Sequence, residues 1–456
     1  MSEIKIHDTR SGELLAIEPP AAKPSLGIYA CGPTVYSRIH IGNARPFVVF
    51  SVLARFLRHE GYDVSLVINV TDVNDKIYDA ARAQDVPSEQ LAGEMTAAYF
   101  ADTEALGLGR PDAEPLASET IGPIEDYIQA LLDGGHAYAV DGDVYFRVRS
   151  DPSYGSLSHR DPDKMDQGED EGGAGPRAQL KQDRLDFALW KAHKEGEDTS
   201  WPAPWGHGRP GWHIECSAMA EQGLPGGVDI HGGGSDLVFP HHENEASQTR
   251  TARGHELARI WMHNGMIQST GEKMAKSVGN IAPLHEVVER FGREAVVMYL
   301  ISGHYRQPLA FSEEALEQAA ANVRRIREAG RRLAAGQESP PDLDPLREQF
   351  FDALRRDFNT AQALAVLNEW LREATHPMRD APVGDTHLRE MLGVLGLESL
   401  LAPDAQAPSE VIELAEQREQ ARAERDFAAA DELREKIAVL GWEVRDGAQG
   451  FELLPL

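Results

Sequence analysis

Cysteine is nearly missing from this chain of 456 residues, with Cys31 and Cys216 the two present. Two thiols cannot build the disulfide framework of a small secreted domain, and each alone reads as a small buried hydrophobe. Long apolar runs are missing too. None approaches the ~18 residues of a membrane-spanning helix, and Met1–Arg10 is polar where a secretory signal has an apolar core. A cytoplasmic protein with no membrane partner is expected. Lysine is scarce, supplying 10 of the 45 basic residues, and the rest are arginine. Against 74 acidic residues this leaves a net charge of −29. Such a charge repels phosphates at long range and excludes indiscriminate nucleic-acid binding. A nucleic-acid site built from local arginine clusters stays open. What is plentiful is core material: 41% of residues are hydrophobic, so a wholly disordered chain is excluded, and the length fits two to four domains.

The first stretch reads α/β. Ser25–Ala30 predicts a strand, Pro46–Arg58 a helix with Pro46 near its start, and Asp63–Val70 a second strand. Together they make the βαβ unit of a parallel sheet. Helical patterns cover roughly Ser88–Leu108 and Glu119–Gly134, and Gly142–Arg149 reads as a strand. Asp161–Arg177, rich in Asp, Glu and Gly, reads as a surface loop. The sheet is expected to resume at Val228–Ile230, with a Gly-rich turn and a helix opening near Pro240. An inserted module therefore splits the sheet domain. Beyond Phe311 the pattern is almost purely helical. A last small unit after Ala402–Ser409 reads as a helix pair and a hairpin turning at Asp446-Gly447.

Three elements could carry chemistry. Cys31, Cys216, His241 and Glu245 form the first. On a helix opening near Pro240, His241 and Glu245 stand at i and i+4 and face the same way. With two thiolates they form a donor set that can grip Zn²⁺. The second is His40-Ile41-Gly42-Asn43 before a helix, where free N–H groups and the positive dipole end favour phosphate. The third is Lys273-Met274-Ala275-Lys276-Ser277. Its two lysines beside a Gly-bearing loop could neutralise a polyphosphate in the transition state. Each element alone is also compatible with an ordinary turn or a solvated face.

Taken together, the order and spacing of these elements resemble the class I aminoacyl-tRNA synthetases. Longer strings narrow the likeness: Tyr29–Tyr36, Asn69–Lys76, Gly211–Ser217, Asp229–Asp236, Phe239–Glu245 and Ser302–Arg306 resemble the cysteinyl family of that class in bacteria. The resemblance runs from about residue 25 to the C-terminus. It implies an α/β protein with a Rossmann-type parallel-sheet catalytic domain over 1–115 and 200–250 and an inserted connective module over 116–199. A stem-contact region with a KMSKS-like loop would cover 251–315, a helical bundle 316–402, and a small mixed α/β anticodon-binding domain 403–456. It also implies one Zn²⁺ per subunit on Cys31, Cys216, His241 and Glu245. His40–Asn43 is similar to the HIGH motif of the class, with Asn43 in place of the last His. Lys273–Ser277 is similar to KMSKS, with Ala275 in place of the first Ser.

The implied activity has two steps. ATP, accompanied by Mg²⁺, activates L-cysteine to the adenylate, and the terminal ribose of tRNA(Cys) then takes the cysteinyl group. His40, Asn43, Lys273 and Lys276 are expected to do the catalytic work. ATP would meet His40, Gly42, Asn43, Asp236 and Lys276. The amino acid would meet Thr71, Trp212, His213 and Asp236. Asp236 suits either the substrate ammonium or the ribose. His213, His231 and His242 would offset the negative charge of the zinc site, by protonation or donation, or serve as structural support. By the same resemblance Arg422, Asp431 and Asp446 match positions that read the anticodon. Arginine stripes fit tRNA as well: Arg324, Arg325, Arg327, Arg331 and Arg332, and then Arg418, Arg422 and Arg425 at one-face helical spacing. A monomer is expected. The alternative reading is a cysteine–amino-sugar ligase of a related zinc-dependent family, which would lack the anticodon module. A zinc hydrolase is disfavoured because the His-Glu-x-x-His order is absent.

Overall fold

Two short strands open the fold, β1 (Lys5–His7) and β2 (Leu14–Ala16), paired antiparallel. Asp8 fixes the connection between them. Its carboxylate accepts from the amides of Ser11 and Trp261, each at 2.8 Å, which ties the hairpin to a later strand. The computed structural model describes residues 3–164, 179–269, 272–273, 282–402, 407–447 and 450–455. They form two units, Met1–Leu400 and Leu401–Leu456.

In the first unit β3 (Ser25–Ala30) and β4 (Asp63–Ile68) run parallel, Ser25 opposite Asp63 through Ala30 opposite Ile68. Helix α1 (Ile41–His59) joins them. It begins at Ile41, ahead of the start expected from Pro46, because His40 caps it. The His40 Nδ1 accepts from the Gly42 amide at 3.0 Å, and Asn43 Oδ1 accepts from the His40 amide at 3.2 Å. This reciprocal cap satisfies helix-end N–H groups that have no partner within the helix. Helices α2 (Asp75–Gln84), α3 (Ser88–Glu104) and α4 (Ile121–Asp133) follow.

Next comes an antiparallel sheet in the order β5-β6-β7-β8, made of β5 (Ala137–Val140), β6 (Asp143–Phe146), β7 (Phe187–Ala192) and β8 (Gly208–Pro210). The strand expected over Gly142–Arg149 is the shorter β6. It is turned back on β5 through Asp141 and Gly142, whose φ values are 50° and 80°. Most of the loop expected at Asp161–Arg177 lies outside the described residues. Ile124, Tyr127, Phe146, Phe187, Leu189 and Trp190 of this module form one buried cluster with Ile214 and Ala218 of α5 (Trp212–Gly223). Each large apolar side chain so buried contributes about 1.5–3 kcal/mol, and the module thereby holds α5 against the sheet.

The parallel sheet resumes with β9 (Val228–Gly234), then α6 (Glu243–Arg253), then β10 (Ala258–Asn264), giving the order β10-β9-β3-β4. The helix expected to open near Pro240 is regular only from Glu243. A π-helical turn, Val238–His242, precedes it and contains the extended Phe239. Two glycines sit where chains approach too closely for a side chain. A Cβ on Gly32 would lie 1.7 Å from the Asn69 carbonyl oxygen, and one on Gly232 2.0 Å from that of Met262.

The rest of the unit holds a small sheet of β11 (Ile267–Ser269), β12 (Glu272–Lys273) and a strand β13 (Leu309–Phe311) that follows α7 (Leu284–Phe291) and α8 (Arg293–Leu300). Helices α9 (Glu313–Arg331), α10 (Asp344–Arg355), α11 (Thr360–Ala374) and α12 (Thr386–Leu395) complete it. The second unit packs α13 (Ser409–Ala423) and α14 (Phe427–Val439) with the hairpin β14 (Trp442–Gly447) and β15 (Gly450–Pro455) around Val411, Ala415, Ile437, Trp442 and Val444. Asp446 and Gly447 belong to β14, with Asp446 opposite Phe451, so the hairpin turns later than expected.

His59 at the end of α1 stacks on Phe351 of α10 at 4.4 Å between ring centroids and sits 2.8 Å from Glu390 of α12. Hydrogen bonds to Glu390 and Glu60 push its pKa up to about 9. A pKa raised on folding gives stability that is complete below the unfolded value of ~6.5 and is lost as pH rises through the folded one. We expect His59→Gln to lower the Tm at about pH 6 and to leave it unchanged above about pH 9.5, measured by thermal unfolding across pH.

Candidate active site and metal centre

A cavity of about 490 Å³ opens beyond the carboxyl ends of β3, β9 and β10, lined by Cys31, His40, Gly42, Asn43, Trp212 and Asp236 among others. This is where ligands bind in open parallel sheets. His40 and Asn43 are there because they cap α1. The Asn43 oxygen is committed to the His40 amide, and its NH₂ keeps its donors for a ligand.

A buried polar cluster lies at the cavity floor. Cys31 directly follows β3, Cys216 stands on α5, His241 lies within the π-helical turn, and Glu245 is in the first turn of α6. Cys31 Sγ is 3.8 Å from Cys216 Sγ and 3.8 Å from Glu245 Oε1. His241 Nε2 is 3.0 Å from Glu245 Oε1. His242 Nε2 reaches Cys31 Sγ at 3.3 Å. Ligating atoms of Cys31, His241, His242 and Glu245 all fall within 4.8 Å of one another. Cys216 is outside that tight group but is joined to it through the sulfur pair.

The electrostatics favour a cation. Burial raises Glu245, yet His241 and His231 outweigh it and hold the carboxyl well below its usual range. Burial opposes a proton on His241, yet Glu245 and Cys216 push it up to about 10. Burial raises Cys216 as well, but the Cys31 hydrogen bond and the His241 charge pull it down to about 6. Burial and the neighbouring Cys216 push Cys31 well up. One sulfur thus ionises readily and the second needs more positive charge nearby, which a divalent ion supplies. His241 Nε2 makes no hydrogen bond despite its carboxylate neighbour. Two sulfurs, an imidazole and a carboxylate suit zinc, and the residues present fit that ion.

A second layer of rings surrounds these donors. His213 Nδ1 lies 2.8 Å from His241 Nδ1, and His231 Nε2 donates to Glu245 Oε2 at 2.7 Å. His242 Nδ1 faces His263 Nε2 at 2.7 Å, and His263 Nδ1 faces Thr9 Oγ1 at 2.7 Å. Trp212 stacks on His241, with centroids 4.0 Å apart. Burial and the charge of His231 push His242 well down and His263 down to about 3. That direction favours the neutral imidazole of His242 over the protonated one.

Some expected residues fall elsewhere. Thr71 is buried off the cavity wall, its amide bonded to Pro33 and its hydroxyl accepting from Asn69 at 3.4 Å. Thr34, bridged to Thr71, lines the cavity instead. His213 is wholly buried beside Trp212 and supports His241 rather than facing the cavity. Thr34 lies within the Tyr29–Tyr36 string without being singled out there, and His263 and Thr9 gave no signal in spacing or motif. Lys273 lies in β12 opposite Gln268, while Lys276 is outside the described residues. In the second unit Arg422 and Asp431 are exposed on α13 and α14, and Asp446 lies in β14. The expected face of Arg418, Arg422 and Arg425 does not form. Arg418 is buried, and Arg425 follows the helix end with φ at 63°.

Residues 18–321 match the family described as "tRNA synthetases class I (C) catalytic domain". Along nearly the whole chain, cysteine–tRNA ligases align. That of Brevibacillus brevis is 42% identical over 457 residues, 95% of each chain, and that of Rubrobacter xylanophilus 41% identical over 471 residues, 98% of each. This chain belongs to the cysteine–tRNA ligase family. As a class I aminoacyl-tRNA synthetase it shares its fold with distant solved members. A Mycobacterium tuberculosis methionyl-tRNA synthetase with methionyl-adenylate has a TM-score of 0.59 at 17% identity, covering 82% of this chain and 88% of that one. A ternary complex of Agrobacterium radiobacter K84 LeuRS with tRNA and LeuAMS has 0.61 at 13% identity, covering 85% and 84%. The catalytic-domain match begins after β2 and ends within α9, so the β1–β2 hairpin stands outside it.

Asn43 both completes the helix cap and faces the cavity. We expect Asn43→Ala to cost about 0.3–1.5 kcal/mol of stability from the lost cap, read by denaturant unfolding. Asn43→Asp, which keeps the accepting oxygen, should retain most of it.

Proposed function

We propose that the chain activates L-cysteine with ATP, releasing pyrophosphate and forming cysteinyl-adenylate, and then transfers the cysteinyl group to the 3′-terminal ribose of tRNA(Cys). One observation carries this reading: two cysteine sulfurs, His241 and Glu245 converge at the floor of the cavity whose mouth holds the His40–Asn43 cap. The family supports it. Cys31, Cys216, His241 and Glu245 would hold one zinc ion, with His242 donating to Cys31. Zinc there would supply a soft Lewis acid that binds the substrate sulfur as thiolate and so favours it over the hydroxyl of serine. An apolar pocket alone discriminates such near-isosteres weakly.

The chain's own residues do the rest. Trp212, stacked on His241, walls the thiol pocket. Asp236, at the cavity edge, accepts from the substrate ammonium or the ribose. His40 and the Asn43 NH₂ donate to phosphate oxygens beside the α1 N-terminus, where the helix dipole favours negative charge. Lys273 and Lys276 neutralise charge building on the leaving pyrophosphate, and Mg²⁺ accompanies ATP. Positioning supplies most of the acceleration, since the carboxylate needs no activation to attack. Arg422, Asp431 and Asp446 of the second unit read the anticodon, carboxylates accepting from amino groups of unpaired bases.

The test is cysteine-dependent ATP–pyrophosphate exchange followed by charging of tRNA(Cys), with elemental analysis of the same preparation. We expect one zinc per chain, exchange with cysteine and none with serine, and charging of the tRNA. Comparable activation of serine, or a preparation active without any bound metal, would refute the selection argument. Exchange without charging would move the assignment to another acceptor.

A further inference from the structure

The hydrogen-bond chain that leaves Cys31 does not end inside the catalytic sheet. It runs through His242 and His263 to Thr9, in the connection between β1 and β2, ahead of residue 18 where the catalytic-domain match begins. Its direction follows from donor counting. A metal-bound Cys31 thiolate accepts and cannot donate. His242 Nε2, 3.3 Å away, must then carry the N–H. A neutral imidazole carries one, so His242 Nδ1 accepts, and His263 Nε2 at 2.7 Å donates to it. His263 Nδ1 is then an acceptor as well, and the group 2.7 Å from it is the Thr9 hydroxyl. The opposite direction at Thr9 would need His242 or His263 as a cation, at 0% and 7% exposure, a costly placement. Thr9 is itself held. Its amide donates to the Trp261 carbonyl at 2.9 Å, and its carbonyl accepts from His159 Nε2 at 3.0 Å.

We propose that Thr9 is a positioning residue of the metal centre: its hydroxyl donates to His263 and so fixes the tautomers of His263 and His242 that aim an N–H at the Cys31 sulfur. This rests on the zinc reading above. The hairpin is thus part of the centre, although it lies outside the catalytic domain as the family defines it. Outer partners of metal ligands typically change metal affinity 10–100-fold when removed. Thr9 acts at two removes, so the lower end of that range applies.

The test uses the full chain as Thr9→Val, which keeps the shape and removes the hydroxyl, and as Thr9→Ser, which keeps the hydroxyl. Zinc affinity is read by chelator competition, and the Co²⁺-loaded proteins are compared by their sulfur-to-cobalt absorption band. We expect Thr9→Val to weaken zinc about tenfold and to shift the band, and Thr9→Ser to match the wild type in both. A Val variant that equals the wild type in affinity and band overturns the proposal. A Ser variant as weak as the Val variant also overturns it, because hairpin packing would then be responsible. If Thr9→Val does not fold, Thr9→Ala against Thr9→Ser makes the same comparison. A wild type that binds neither ion refutes the metal reading itself, which separates the two failures.

Discussion

Placing two sulfurs, an imidazole and a carboxylate together out of water is the constraint on which the rest of this structure depends. Each uncompensated buried charge costs several kcal/mol, and a cation repays that only if the donors are already in place. Here they come from three separate stretches. Cys31 is fixed by the end of β3, where Gly32 lets the backbone press against Asn69. Cys216 is fixed by α5, which the inserted module clamps through Ile214 and Ala218. His241 and Glu245 stand on either side of a π-to-α junction. Rings pack behind His241, Glu245 and Cys31.

The same placement accounts for the site's outer layers. Three of the four donors meet a second group: His213 behind His241, His231 behind Glu245, and His242 against the Cys31 sulfur. Such contacts set which lone pair points inward, so they belong to the chemistry as much as the ligands do. At the cavity mouth the economy differs. His40 and Asn43 cap a helix where the cavity opens, so the turn that folding needs also lines the cavity.

What could be read from sequence divides along physical lines. The βαβ unit was legible because β-branched runs and glycine turns are local signals, and His241 with Glu245 because four residues apart means one side of a helical turn. The start of α1 was misjudged because the cap is made by a histidine ring and an asparagine amide, while the proline signal pointed five residues later. Thr34 lines the cavity wall where Thr71 was expected, and a parallel bridge joins the two. That register depends on partners distant in sequence. His263 and Thr9 were invisible for the same reason. An alternating strand histidine looks like any half-buried one until the fold brings a sulfur-bound neighbour to it. The arginine face on α13 failed because equal spacing says nothing of which side of a helix is buried.

A net charge of −29 opposes a polyphosphate substrate at long range, and the ion pairs near the cavity bear on how it is met. Screening limits exposed charges to about 8 Å at physiological salt, so the cavity feels its own wall more than the whole surface. Many cations near it are already spent on carboxylates. Arg38, on the wall, is bound to Asp102, while Lys191, Lys194 and Arg209 converge on Asp75. Beside Asp75, Lys76 reaches the cavity wall with no carboxylate at ion-pair distance among the described residues. A lysine in the first turn of a helix opposes the helix dipole, a placement that folding alone does not favour. The acidic surface turns polyanions away in general, whereas Lys76 gives this cavity wall a positive charge of its own.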